Sequence, residues 1–277
     1  GLVYYDGWYH LFYQHHPFSN YWSDMYWGHA RSKDLAHWEL LPICLFPDTE
    51  SDGLGGGDGY MWSGSAMVYH RGMSAAIDEK NWFENGDGLL AFYTRDGAMQ
   101  DQVVMSSDDG GMTWTKRVRI PQTVATNGIT NKTDCRDPKV FPVEKSGDKV
   151  TLWGMALAGM ATNDIWFLKS DNLLNWSAAG GFKAYRPECP DVAEITADDG
   201  ETKTVMSFTG RRYLVGNISY NASTGKIIFT DLNGNDVSAL QQDEIEFQTM
   251  DYGVDSYATQ TYFIDDSASD YYNKTVS

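Results

Sequence analysis

The chain of 277 residues carries 21 Lys and Arg against 38 Asp and Glu, a formal net charge of −17 at neutral pH. Such an acidic surface repels nucleic-acid phosphates and anionic lipid headgroups, which excludes electrostatically driven binding to either and favours a neutral ligand. Hydrophobic residues at 42% describe an ordinary globular chain, and the longest apolar runs stop well short of the roughly 20 residues of a membrane-spanning helix. Ten Trp, 17 Tyr and 12 Phe are more than such a core obviously requires. Because indole and phenol faces stack on sugar C–H surfaces, carbohydrate is the first ligand class to consider.

Taken in chain order, the structured segments are short, β-branched or aromatic, and punctuated by Gly, Asp, Asn and Ser, which predicts an all-β chain. Strands are expected over Trp8–Gln14, Leu89–Thr94, Gln102–Ser106, Val150–Leu157, Ile165–Lys169, Thr204–Thr209, Tyr213–Ser219 and Lys226–Thr230. The stretch Pro47–Tyr60 is expected to be a long surface loop, and no segment sustains a helical period. A turn grammar recurs in Ser32-Lys-Asp-Leu-Ala-His-Trp38, Ser107-Asp-Asp-Gly-Gly-Met-Thr-Trp114 and Ser170-Asp-Asn-Leu-Leu-Asn-Trp176: a strand, a Ser/Asp turn, then a Trp opening the next strand. A Trp-less version follows at Tyr220–Gly225. The tryptophans are 76 and 62 residues apart, the size of one four-stranded sheet plus a loop, so the repeat suggests a β-propeller rather than a β-sandwich with coincidental turns.

Several motifs carry less than they first suggest. Cys44, Cys135 and Cys189 cannot all pair within one chain and have no zinc-type spacing. The glycine-rich Gly53–Gly59 lacks the Gly-Lys-Ser/Thr of a phosphate cradle. Asp231–Asp236 begins like a calcium loop but has Asp236 where Gly is needed, so it reads as a turn. His15 and His16 are adjacent on one presumed strand and point to opposite faces, so they cannot jointly hold a metal. Five Asn-x-Ser/Thr sequons, at Asn131, Asn175, Asn217, Asn221 and Asn273, lean toward a secreted, glycosylated protein.

Two carboxylates differ in context. Asp137, in Asp134-Cys-Arg-Asp-Pro138, has the permanent cation Arg136 beside it and Pro138 after it, so it is expected to stay ionised on extended backbone. Glu188, in Tyr185-Arg-Pro-Glu-Cys-Pro190, is flanked by two prolines and the poorly solvating Cys189, with Tyr185 close by. Desolvation there favours the proton-carrying form that a general acid needs. On these residues alone, a surface Asp–Arg pair and a loop Glu remain the plainer alternative.

The ordered series Tyr4–Pro17, Tyr26–Trp38, Trp62-Ser-Gly-Ser-Ala66, Cys135–Phe141, Pro187-Glu-Cys-Pro190 and Asp255–Thr261 resembles the successive motifs of glycoside hydrolase family 32, the invertases, inulinases and levanases, over nearly the whole chain. The resemblance implies a five-bladed β-propeller and retaining hydrolysis of terminal β-fructofuranosyl groups from sucrose or a fructan, with no metal or cofactor. It implies Glu188 as acid/base, Asp137 as transition-state stabiliser and Arg136 as a ligand of the fructosyl hydroxyls. Gln14, Trp22, Trp62 and Ser63 match positions lining the fructose pocket. Gly1 matches the last residue of the family's nucleophile motif, so the nucleophilic aspartate is expected ahead of Gly1. Residues 1–277 are then a catalytic propeller domain incomplete at both ends, without the family's C-terminal β-sandwich and inactive by themselves. A fructosyltransferase uses the same residues, and a non-catalytic fructan-binding propeller would keep the tryptophans without the nucleophile. An inverting five-bladed glycosidase of the arabinanase kind is disfavoured by the Trp-Ser-Gly-Ser and Glu-Cys-Pro motifs.

Overall fold

The structure, a computed structural model, describes residues 1–47, 59–131, 133–209, 211–264, 266, 269 and 274–276. The expected loop Pro47–Tyr60 therefore lies largely outside the described residues. Strands dominate, with two single-turn α-helices at Ala75–Asp78 and Gln122–Ala125, and no described helix is long and apolar enough to cross a membrane.

The chain divides into two compact units. The first, Gly1–Pro121 with Tyr262–Val276, holds two antiparallel four-stranded sheets. One runs β1 (Leu2–Tyr5), β2 (Trp8–His15), β3 (Tyr26–Ser32) and β4 (Trp38–Leu45); the other runs β5 (Tyr60–Tyr69), β6 (Gly88–Asp96), β7 (Gln100–Ser107) and β8 (Thr115–Ile120). The second unit, Gln122–Thr261, repeats the pattern with β9 (Cys135–Ser146), β10 (Lys149–Gly159), β11 (Asp164–Ser170) and β12 (Ser177–Lys183), then β13 (Asp191–Thr196), β14 (Thr202–Phe208), β15 (Arg212–Asn221) and β16 (Lys226–Asp231). A two-residue strand, β17 (Gln248–Thr249), adds to β15 at Arg212 and Tyr213. Each sheet is a meander of sequence neighbours, the blade unit of a propeller, and the fold is an all-β propeller.

The blade count corrects the expectation: four blades, not five, occur among the described residues. Beyond them stands only a hairpin of three-residue strands, β18 (Tyr262–Ile264) and β19 (Lys274–Val276), too short to make a blade. Tyr262 and Ile264 pack with Tyr4 and Tyr9 in a small cluster of their own.

Each third-to-fourth-strand connection uses the recurrent turn. Ser32, Ser107 and Ser170 close on Asp34, Asp109 and Asn172, whose side-chain oxygens accept backbone N–H groups of His37 (2.8 Å), Thr113 (2.9 Å) and Asn175 (2.8 Å). The indoles of Trp38, Trp114 and Trp176 then donate to the carbonyls of Leu35, Gly111 and Leu173, at 3.1, 3.2 and 3.0 Å. Those three acceptors all have left-handed φ, between 63° and 82°, because the chain must reverse in one step. Asn221 does the same for the fourth blade by accepting from Ser223 and Thr224. Asp231 likewise accepts from Asn233 and Asn235 as an ordinary Asx turn.

Much of the aromatic surplus is core. Phe141, Phe167, Phe182, Phe208 and Phe229 pack together in the second unit, and Phe12, Trp27 and Tyr93 are buried in the first. β6 and β7 are buried on both faces, which matches the apolar run Leu89–Tyr93 in β6, while β7 buries Gln100, Asp101 and Gln102 as well as Val103–Met105. The prolines Pro42, Pro138 and Pro142 all fall on the sheet-edge strands β4 and β9, where a missing N–H leaves no ladder bond unmade.

Candidate active site

Two of the sequence motifs, Cys135–Phe141 and Trp62–Ala66, lie on the first, edge strand of a blade, and both sit at a β-bulge. In β9 the register slips so that Asp137 and Pro138 together oppose Leu157, between the pairs Arg136↔Ala158 and Lys139↔Ala156. In β5, Trp62 and Ser63 together oppose Thr94, between Met61↔Arg95 and Gly64↔Tyr93. A bulge leaves an extra residue unpaired and re-aims its side chain, which is how an edge strand presents a functional group off the regular pleat.

In the second unit, Arg136 collects three carboxylates. Its Nη2 donates to Glu188 Oε1 at 2.9 Å, Nη1 stands 3.2 Å from Asp134 Oδ2, and Nε stands 3.8 Å from Asp137 Oδ2. Burial opposes the guanidinium charge, but the Glu188 bond and the three negative groups outweigh it and hold the proton more firmly than usual. Asp137 is 6% exposed, and its Oδ2 accepts the backbone N–H of Cys189 at 3.0 Å.

Two expectations for Asp137 need correction. Its backbone is not extended: φ is 61°, imposed by the bulge and tolerated by aspartate, whose short polar side chain admits left-handed angles. Nor does the neighbouring arginine set its ionisation alone. Burial pushes the carboxyl up to about 6, against the downward pull of the Cys189 N–H and Arg136, with Glu188 adding to the rise. It is still mostly ionised at neutral pH.

Glu188 is not the walled-in group expected from its flanking prolines. Its side chain is 28% exposed and is set by polar partners, Arg136 at one oxygen and the Tyr257 hydroxyl at the other. Its backbone carbonyl accepts from Thr209 N–H at 2.7 Å, fastening the loop to the end of β14. Arg186 and Cys189, on either side of Glu188, both take left-handed φ of 53° and 50°. Each precedes a proline, as Asp137 does, so three uncommon backbone conformations concentrate on the two motifs. Burial raises the Cys189 thiol well above its ordinary range, so Cys189 serves through its backbone rather than as a thiolate.

The residues that hold this cluster were not singled out from sequence. Tyr257 lies in Asp255–Thr261, a motif noted there without a role. That segment is tied down by the Arg211 guanidinium on the carbonyls of Val254 and Ser256, and by Thr261, whose N–H and hydroxyl both meet Asp191 Oδ2. Lys139 Nζ pairs with Asp191 Oδ1 at 2.5 Å and donates to the Thr261 carbonyl. A tyrosine hydroxyl both donates and accepts, so Tyr257 can bond Glu188 whether or not the carboxyl holds its proton.

The other expected site residues meet in the first unit. Gln14 Nε2 donates to Ser63 Oγ at 2.7 Å. The Trp22 and Trp62 rings lie edge to face at 5.8 Å, with Trp22 65% exposed. The Trp62 carbonyl accepts the buried Trp27 indole N–H at 2.8 Å, which anchors the bulge. Gly64 follows because a Cβ there would stand 1.8 Å from the Phe92 carbonyl oxygen. An exposed and a half-buried indole beside an amide and a hydroxyl are suited to a neutral polyol. Among the described residues, no group of three or more His, Cys, Asp or Glu side chains is placed to hold a metal ion.

The second unit thus gathers three carboxylates around one guanidinium, and the first places an amide and a hydroxyl beside two indoles. The chain belongs to glycosyl hydrolases family 32: the family's N-terminal domain matches residues 1–272. It is 35% identical over 266 residues to a fructan beta-fructosidase of Streptococcus mutans, a match covering 96% of this chain and 16% of that protein. It is 37% identical over 270 residues to a levanase of Bacillus subtilis, covering 93% and 35% respectively. The crystal structure of an exo-inulinase from Aspergillus awamori superposes with a TM-score of 0.70 at 26% identity, over 95% of this chain and 53% of that one. The chain thus spans about half or less of the proteins it matches.

Proposed function

We propose that the protein releases terminal β-D-fructofuranosyl residues from sucrose or fructans by retaining hydrolysis. Glu188 donates a proton to the leaving oxygen as the glycosidic bond breaks, then takes one from the water that resolves the fructosyl–enzyme intermediate. The ionised Asp137 stabilises the positive charge that develops at the anomeric carbon, and Arg136 binds fructosyl hydroxyls. Gln14, Trp22, Trp62 and Ser63 are assigned to sugar binding. The nucleophile is assigned to an aspartate ahead of Gly1, because Gly1 matches the last residue of the family's nucleophile motif; Asp6 lies in the turn between β1 and β2.

The observation that supports this reading most directly is the single guanidinium of Arg136, hydrogen-bonded to Glu188 and adjacent to the buried Asp137. One cation then orients the acid and balances the stabilising carboxylate. The names of the relatives point to the same substrates.

The test is fructose release from sucrose and from inulin by the full-length protein, with the anomer first released followed by NMR. The β-anomer is expected, and initial release of the α-anomer would exclude retention. Glu188→Gln is expected to lower kcat by about 10²- to 10⁴-fold while leaving substrate affinity nearly unchanged. Sucrose hydrolysis by residues 1–277 alone would overturn the placement of the nucleophile.

A further inference from the structure

The second unit holds a groove of about 770 Å³ that the roles above leave unused, lined by Tyr185, Arg212, Gln242, Glu246, Phe247 and Gln248 among others. Its construction is specific. β17 adds to the stretch of β15 that β16 leaves unpaired, so Arg212 pairs with Thr249 and Tyr213 with Gln248. The single turn Gln242–Glu244 stands above β17 in sequence, closed by the Gln241 N–H on Glu244 Oε2 at 2.7 Å. Ile245 is buried beneath, while Gln242, Glu246 and Gln248 remain accessible.

Tyr185 supplies the flat apolar element. Its ring has the guanidinium carbons of Arg212 and Arg186 at 5.1 and 5.4 Å, and the residue is still 44% exposed. A half-exposed phenol ring among amides, a guanidinium and carboxylates matches a sugar, with C–H groups for the ring and hydroxyls for the polar rim. The groove's Arg212 against Asp243 and Glu246 disfavours an anionic ligand.

Two of the segments that line the groove continue into those that hold the acid. Tyr185 precedes Glu188 by three residues, a span of about 10 Å at most. In the other, the Arg211 carbonyl accepts from Met250 N–H, and its side chain holds the Val254 and Ser256 carbonyls ahead of Tyr257, the partner of Glu188.

We infer that this groove binds the leaving saccharide of a fructan beyond its first unit, with Tyr185 as the stacking platform, so that it favours fructan chains over sucrose. The inference rests on the proposed fructosidase reading for the identity of the sugar, and direct binding separates the two. In calorimetric titration of the full-length protein with a non-reducing inulin-type oligosaccharide, using Glu188→Gln to prevent turnover, Tyr185→Ala is expected to weaken binding about tenfold. Tyr185→Phe is expected to retain affinity, and Gln248→Ala to weaken it by a smaller factor. In the active protein, Tyr185→Ala should lower the inulin-to-sucrose ratio of kcat/KM by a similar factor. Unchanged oligosaccharide affinity in Tyr185→Ala, or an unchanged ratio, overturns the groove assignment. Absence of fructose release by the parent protein overturns the fructosidase reading, whatever the titration shows.

Discussion

Asp137 sits where two forces oppose one another: burial disfavours its charge, while the Cys189 N–H and the Arg136 guanidinium favour it. With its value pushed up to about 6, the stabilising carboxylate is lost to protonation only in mildly acid solution. The expected result is a kcat/KM that climbs with pH through about 6 and levels above it, a limb that Asp137→Asn should abolish together with most activity. Tyr257 poses a separate question, since it touches Glu188 but no reacting atom in the proposed scheme. Tyr257→Phe removes the one partner able to both donate and accept, and should lower kcat about fivefold to tenfold with little change in KM. Because Tyr257 is 56% exposed, thermal melting should be unaffected, and a lower melting temperature would assign it a structural role instead.

The elements explain why these residues were partly legible beforehand. A strand buried on both faces, such as β6, announces itself by an apolar run, and the expected segments Leu89–Thr94 and Gln102–Ser106 fall inside β6 and β7. The functional strands do not, because β9 contains two prolines, five charged residues and a bulge. An edge strand has half its ladder free, so it accommodates sequence that would break a central one. Thr209, expected to end a strand, instead takes a φ of 56° just past β14 and donates its N–H to the Glu188 carbonyl. The bulge in β5 is the element most exposed to test. Gly64→Ala would drive a methyl group into the Phe92 carbonyl, so β5 must separate from β6. A loss of about 2–4 kcal/mol in denaturant unfolding is expected, along with weaker sugar binding as Trp62 and Ser63 shift.

For the whole molecule, acid acts on the two units with opposite sign. In the first unit His10 Nδ1 and His29 Nε2 lie 2.9 Å apart, and His10 Nε2 faces the Tyr5 carbonyl at 3.3 Å. This arrangement suits two neutral rings. Burial lowers His10 to about 4 and His29 to about 3. Their contribution to stability is whole above about pH 6.5, where unfolded imidazole is neutral, and is lost as pH falls toward those values. The loss is about 2 kcal/mol per ring by pH 5. Asp137 in the second unit has a raised value, so its contribution is whole below its unfolded value near 3.8 and lost as pH rises through about 6. Hydrogen-exchange protection measured at pH 7 and pH 5 should therefore fall in β2 and β3 while holding or rising in β9. Equal losses in both units would contradict the assignment.

Residue order by itself determined the propeller repeat, the family, and the identity of the charged and aromatic groups. Each of these is written in covalent neighbours: the Ser/Asp turn closes within a few residues, and Arg136 stands beside Asp137 in any conformation. Only the tertiary structure decided how those groups are poised. Burial of Asp137 outweighs the adjacent cation, Glu188 is held by Arg136 and by Tyr257, 69 residues away, and the bulges turn Asp137, Trp62 and Ser63 off the regular pleat. Solvent exclusion and strand register arise from segments distant in the chain, so no local window contains them.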